Sequence, residues 1–214
     1  MSNGIDLAAK LATGLAAMGL AIGPAEQEKL LAYVALLAKW NKTYSLTAIR
    51  EPERMVTHHL LDSLAPLPFL PASALRMLDV GSGFGTPGIP LAIVRPEWQL
   101  TLLDSNHKKT TFLRQALLEL QLPNVTVVTD RVEAYQPEAG FDIITSRAFA
   151  DLGDFVRWTN HLLLPTGEWA ALKGVYPHEE ITHLPADVYV VGVDALQVPE
   201  LDAERHLVHV RRQA

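Results

Sequence analysis

The residues with the clearest chemistry run from Met77 to Gly88, reading Met-Leu-Asp-Val-Gly-Ser-Gly-Phe-Gly-Thr-Pro-Gly. The apolar start predicts a strand and the residues after Gly88 a helix. Glycines at such a turn let the backbone bend sharply and approach a ligand, with helix N-terminal N–H groups facing it. A dinucleotide loop needs glycines at relative positions one, three and six. Here Gly81 and Gly83 fill the first two, Thr86 occupies the sixth, and the third glycine comes one residue early at Gly85. Asp79, just ahead of Gly81, would repel a pyrophosphate. The loop therefore suits a ligand without phosphates, preferably a cation. S-adenosylmethionine, with its nucleoside, amino acid and sulfonium, has that chemistry.

Two further acidic positions fit the same ligand. Asp104 ends the apolar run that begins at Trp98, where a carboxylate can hold ribose hydroxyls. Asp130 and Glu133 follow the next apolar run, at the place where an adenine edge would be read. The chain has no cysteine, which excludes a disulfide framework, zinc–thiolate sites and a thiolate nucleophile.

The elements that must hold these residues follow from periodicity. In 214 residues, 49% are apolar and 20% charged, so the chain is a globular domain, with or without a terminal extension. The first 70 or so residues are predicted helical. Leu30, Val34, Leu37 and Trp40 recur at helical spacing after Pro24; Met55, His59 and Ser63 share one helical face after Pro52. Pro66, Pro68 and Pro71 then break the pattern. From Leu75 onward, apolar runs at 75–80, 98–103, 125–129, 141–146, 169–172, 188–193 and 206–210 alternate with helical segments at 88–94, 106–120 and 152–164. That alternation predicts an α/β fold with a mostly parallel sheet, helices on both faces and an antiparallel pair at the end. The division is a helical region over 1–71 packed on a core over 72–214. The most apolar run, 11–22, falls short of the roughly 20 residues needed to cross a bilayer. It reads as an amphipathic helix rather than an export signal, since residues 1–10 carry no net positive charge on their side chains. A cytoplasmic monomer is the expectation.

With these residues in view, the chain resembles a class I methyltransferase, and more narrowly the ribosomal RNA small subunit methyltransferase G family, also called glucose-inhibited division protein B. The resemblance rests on Leu37-Ala-Lys-Trp-Asn-Lys42, His59-Leu-Leu-Asp-Ser63, Asp79 through Gly88-Ile-Pro90, Leu102-Leu-Asp-Ser105, Lys109 with Phe112-Leu-Arg114, Arg131-Val-Glu133, Ile144-Thr-Ser-Arg-Ala-Phe149 and Ala171-Leu-Lys-Gly174. Ser45 stands where the family usually has Asn, and Phe84 fills the loop position between the second and third glycines. The resemblance implies a Rossmann-like fold with a seven-stranded sheet. It also implies S-adenosylmethionine as cofactor and methylation of guanine N7 in the decoding region of 16S ribosomal RNA. Gly81, Thr86, Val132, Glu133 and Arg147 are the implied cofactor contacts, with Arg147 also the catalytic, orienting residue.

Guanine N7 carries an in-plane lone pair and no proton, so no general base is required and positioning supplies the rate. An exocyclic-amine acceptor would instead need a base, for which Asp142 or Asp151 would be the carboxylates beside Arg147. The net charge is −6, so RNA contact needs local basic clusters. Lys39, Lys42, Arg50, Arg54, His58 and His59 form one. Lys108, Lys109 and Arg114 form a second, and Arg131, Arg147 and Lys173 lie near strand C-terminal ends, with Phe149 available to stack on a base. The acidic total favours the assembled small subunit over bare RNA as partner. Adjacent His58 and His59 point to different helical faces, so no metal site is expected. A small-molecule methyltransferase, an NAD-dependent oxidoreductase and a non-catalytic S-adenosylmethionine-binding protein are the alternatives.

Overall fold

The computed structural model describes residues 6–73 and 75–213; residues 1–5, which belong to the leader-or-helix question, lie outside that range. The 11–22 run begins as α1 (Leu7–Ala17), capped by Asp6, whose carboxylate accepts from the N–H groups of Ala8 and Ala9. Leu11 and Leu15 are buried, and Gly14 lies flat against the Leu61 side chain. Pro24 opens α2 (Pro24–Tyr44), which ends at Ser45 in the left-handed conformation. Among the described residues no helix is long and apolar enough to cross a membrane.

The segment after Pro52 differs from its predicted regular helix. It starts as α3 (Pro52–Met55), widens into a π-helical turn (Val56–Leu61) and returns to one turn of α4 (Asp62–Leu64). Met55, Val56, His59, Leu60, Leu61, Asp62 and Leu64 are all buried. A segment enclosed on every side has no single apolar stripe, so its period is set by its neighbours, and π turns gather at functional sites.

The sheet has strands β1 (Arg76–Val80), β2 (Gln99–Leu103), β3 (Val125–Val128), β4 (Phe141–Arg147), β5 (Leu163–Lys173), β6 (Val188–Ala195) and β7 (His206–Arg212). Their spatial order is β3-β2-β1-β4-β5-β7-β6. The first five are parallel, and β7 inserts antiparallel between β5 and β6. Helices α1 and α2, the 52–64 segment, α5 (Gly88–Val94) and α6 (His107–Leu120) cover one face in a continuous core with Met77, Leu100, Ile143 and Ala170. The other face carries Leu78, Val80, Ile144 and Trp169 under α7 (Leu152–Thr159), flanked by α8 (His178–Thr182).

One predicted boundary was misplaced. The helix expected over 152–164 stops at Thr159, makes a 3-10 turn at Asn160–Leu162 and becomes β5 at Leu163. Pro165 disfavours helical backbone at Leu164, and exposed Pro165 and Thr166 hide the first half of β5 from an apolar-run reading. Because Gly14 abuts Leu61 in the π turn, Gly14→Val is expected to cost about 1–3 kcal/mol through overpacking. Urea denaturation checks this; unchanged stability would show that α1 does not pack tightly on that turn.

Candidate active site

The functional residues gather at the carboxyl ends of the parallel strands. The crevice lies beside β1, where successive connections leave to opposite sides of the sheet, the usual ligand position in an open α/β sheet. The glycine loop after β1 is fixed from below. Gly81 and Ser82 donate their N–H groups to the Leu103 carbonyl at 2.8 and 3.1 Å, and the Ser82 hydroxyl donates to the Asp79 carbonyl at 2.7 Å. Gly81, Gly83 and Gly85 all take positive φ, so side chains there would be strained. A Cβ on Gly81 would come within 2.6 Å of the Phe149 ring.

Asp104 follows β2 and holds the loop. Its Oδ2 accepts from the Gly83 N–H at 2.9 Å and its Oδ1 from the Asn106 N–H at 2.8 Å, with the Lys109 ammonium at 3.7 Å. A cavity of about 370 Å³ opens above it, lined by Gly81, Asp104, Asp130, Arg131, Val132, Glu133, Phe149 and Trp158 among others. Val132 is buried while Arg131 and Glu133 are exposed. Phe149 packs edge-on to Phe155 and Trp158, at centroid distances of 6.4 and 5.8 Å. Phe149 and Arg131, expected on the RNA side, thus face this cavity.

Asp79 does not line it. The side chain is fully buried, Oδ2 accepts from the Gly88 N–H at 3.1 Å, and Oδ1 has no partner. Burial pushes its carboxyl up to about 7, against the opposing pull of the Gly88 N–H and the Arg147 charge.

Arg147, at the end of β4, points to the helix-covered face. Its Nη1 donates to Asp62 Oδ2 at 2.9 Å and its Nη2 to the Thr86 hydroxyl. Asp62 Oδ1 accepts from Arg205 Nε at 2.7 Å. Arg147, Asp62 and Arg205 line a second cavity, of about 460 Å³, with Thr47, Ile49, His58, His59, Phe84, Ala148, Leu172, Lys173 and Gly174. Ala148, next to Arg147 in the chain, lines both cavities. His59 is 5% exposed, tilts against Phe84 at 4.7 Å between centroids and shares a 3.0 Å hydrogen bond between Nε2 and the Thr47 hydroxyl. Burial, reinforced by Arg147, pulls its imidazole down to about 4. His59 is therefore a neutral wall residue and not the phosphate-binding cation expected of it. Lys173 reaches Glu180 at 2.6 Å.

Two expectations about carboxylates are corrected. Asp142 stands at the opposite end of β4, accepting from the Arg76 N–H at 2.8 Å, and Asp151 caps α7 by accepting from the Asp154 N–H at 2.8 Å. Neither adjoins Arg147; Asp62 does. His58 and His59 both line the second cavity, because the π turn alters the spacing that would separate them. Among the described residues no group of three or more His, Cys, Asp or Glu side chains is arranged to hold a metal ion. Lys39, Lys42 and Arg50 share a separate surface cavity, and exposed Arg54 pairs with Glu51 at 3.9 Å. Lys108 lies over the Tyr44 ring at 5.5 Å, and Arg114 donates to the Thr129 hydroxyl at 2.7 Å. Sequence reasoning missed Phe84, Asp62 and Arg205 as site residues. Asp62 had a signal within the His59–Ser63 segment and Phe84 within the glycine loop, while Arg205 had none.

The buried Asp79 has a consequence for pH. Its folded value, about 7, lies above its ordinary 3.8, so its stabilising contribution is full below about pH 4 and lost as pH rises through about 7. His59 opposes this at lower pH: its folded value, about 4, lies below 6.5, so its contribution is lost as pH falls from about 6.5 toward 4. Asp79→Asn is therefore expected to gain about 1–3 kcal/mol more over the wild type at pH 8 than at pH 5. Urea titrations at the two pH values check this, and equal gains would contradict the burial of an ionisable Asp79.

The family described as rRNA small subunit methyltransferase G matches over residues 26–208. Proteins named ribosomal RNA small subunit methyltransferase G are 61% identical over 204 residues in Laribacter hongkongensis, covering 95% of this chain and 98% of that one. The Chromobacterium violaceum protein of the same name is 62% identical over 202 residues, covering 94% and 96%. Among solved structures, TrmN from Thermus thermophilus superposes with a TM-score of 0.58 at 19% identity, over 71% of this chain and 48% of that one. Coclaurine N-methyltransferase bound to N-methylheliamine and SAH gives 0.57 at 13% identity, over 92% and 69%. These two likenesses establish the methyltransferase fold, with S-adenosylmethionine as the cofactor, and the sequence matches establish more: the chain belongs to the rRNA small subunit methyltransferase G family.

Proposed function

We propose that this protein methylates N7 of a guanine in the decoding region of 16S ribosomal RNA, acting on the small ribosomal subunit, by direct displacement without a general base. One observation carries the reading. The second cavity adjoins the glycine-loop cavity through Ala148 and Arg147, and its carboxylate, Asp62, is engaged by two guanidiniums. Of the groups in its lining that could act as a base, Asp62 is committed to two guanidiniums, burial keeps His59 from accepting a proton at neutral pH, and His58 is tied through Nδ1 to the Arg54 carbonyl at 3.0 Å. An acceptor that loses no proton suits those walls.

The glycine-loop cavity has the chemistry for S-adenosylmethionine. Gly81 leaves bare backbone where a side chain would meet Phe149. Asp104 lines the cavity with a carboxylate suited to ribose hydroxyls, and Val132 and Glu133 suit the adenine. Bound there, the cofactor supplies a methyl group on a positive sulfur. Phe149 and Trp158 give that cavity an aromatic wall. Arg147 orients, while Lys173 and the Lys39, Lys42, Arg50 and Arg54 surface attract RNA phosphates, with region 1–71 forming one wall of the acceptor side. A small-molecule acceptor would not need that basic surface.

The direct test incubates the protein with methyl-labelled S-adenosylmethionine and small subunits lacking the modification, then maps the labelled base. The expected product is N7-methylguanine in 16S RNA; label on an exocyclic amine would overturn the reading. Single-turnover rates at saturating cofactor are expected to stay nearly flat from mildly acidic to mildly basic pH, and a steep rise ascribable to one residue would contradict displacement without a base.

Asp104→Ala is expected to weaken cofactor binding by about 1.5–3 kcal/mol, as calorimetry would show; an unchanged affinity would return Asp104 to a loop-holding role alone. Neutralising Lys42 and Arg50 together is expected to lower the salt slope of RNA binding by roughly 0.7–0.9 per lost phosphate contact, with cofactor affinity intact. An unaltered slope would remove that surface from the RNA interface.

A further inference from the structure

Asp62 is a buried ionisable group to which methyl transfer without a base gives no chemical role. It is 4% exposed and stands at the start of α4, immediately after the π turn. It draws in residues that are distant in sequence: Arg147 from the end of β4, through Oδ2, and Arg205 from the loop before β7, through Oδ1. Each guanidinium has a second anchor. Arg147 Nη2 rests on the Thr86 hydroxyl of the glycine loop, and Arg205 Nη1 donates to the Glu204 carbonyl at 2.8 Å. All three side chains line the second cavity.

Arg147 Nη1 also reaches the His58 carbonyl at 3.4 Å, and two charged donors each held at two or more points cannot rotate freely. Arg147 Nε and Arg205 Nη2 make no hydrogen bond to the protein among the described residues. They are free to donate to a ligand. Guanine presents O6 and N7 side by side as acceptors on one edge. A base that offers N7 for methylation therefore brings O6 beside it, where a guanidinium can bind it, and adenine offers a donor in that place.

We propose that Asp62 is a positioning residue for methyl transfer: it locks Arg147 and Arg205 into one donor wall that aligns the acceptor base. This rests on the methyltransferase reading above. A merely structural staple would tie the 52–64 segment to the sheet and affect stability alone. A positioning residue affects turnover in a protein that remains folded and binds cofactor normally, since misplacement by about 1 Å can cost about 100-fold.

The test compares wild type, Asp62→Asn, Asp62→Glu and Arg205→Gln, each measured for thermal unfolding, S-adenosylmethionine affinity and single-turnover methylation of small subunits. Asp62→Asn is expected to lower turnover by about 100-fold while cofactor affinity stays within about twofold. Asp62→Glu is expected to recover at least about tenfold of the loss, because the charge that aligns both guanidiniums returns. Wild-type turnover in Asp62→Asn, a parallel loss of cofactor binding, or no recovery in Asp62→Glu would each overturn the proposal. Should Asp62→Asn fail to fold, Arg205→Gln decides, because it leaves the Asp62–Arg147 pair in place. A fall of about tenfold or more supports the donor wall, and wild-type turnover overturns it. Wild-type subunits labelled elsewhere than guanine N7 would refute the acceptor assignment independently, since the variants are compared on whichever base is labelled.

Discussion

A buried carboxylate between two guanidiniums has to be satisfied completely, and that demand organises this molecule. Removing one partner from such a cluster typically costs about 3–5 kcal/mol, because a charge is left unpaired in the interior. Asp62 meets the demand only if the π turn, the end of β4 and the loop before β7 arrive at one point. Thr86 adds the glycine loop through Arg147. The four segments that bound the two cavities thus share one ionic network. Helix α1 supports it from behind, through the Gly14–Leu61 contact.

The sheet supplies the complementary constraint. Parallel β1 and β2 end level with each other, so the Leu103 carbonyl meets the Gly81 and Ser82 N–H groups, and Asp104 reaches across to Gly83. Asp79, two residues earlier on β1, faces the same side as α5 and accepts from its first N–H. The loop is thereby held by carboxylates from two neighbouring strands, with the N–H groups of Gly81, Ser82, Gly83, Gly85 and Gly88 satisfied before any ligand arrives. Preorganisation of this kind means that ligand binding does not have to order the loop.

Much of this was legible in the sequence, and the exceptions have physical causes. The glycine spacing and the acids after successive strands pointed to the residues of the glycine-loop cavity, because each turn at a strand end is a local event. The second cavity was harder. It is assembled from residues 47–62, 84, 147–148, 172–174 and 205, and no local pattern links Arg205 to Asp62. His59 read as a surface cation because the π turn that buries it leaves no mark on hydrophobic periodicity. Asp142 and Asp151 read as neighbours of Arg147 by sequence distance, yet a strand of seven residues separates Asp142 from it by most of the sheet's depth. Pro165 concealed the first half of β5 because the pairing with β4 skips from Leu163 to Glu168, leaving exposed Pro165 and Thr166 in an irregular stretch with no apolar run.

The central claim is that two adjacent cavities divide the work, one holding the cofactor and the other the acceptor base, with Arg147 in the wall between them. Filling each in turn tests it most directly. Val132→Trp occupies the glycine-loop cavity and Ile49→Trp the second, and S-adenosylmethionine affinity is measured by calorimetry beside methylation of small subunits. The expected result is loss of cofactor binding in the first variant, and in the second a normal cofactor affinity with methylation abolished. Normal methylation in a folded Ile49→Trp protein, or cofactor binding lost equally in both, would contradict the account.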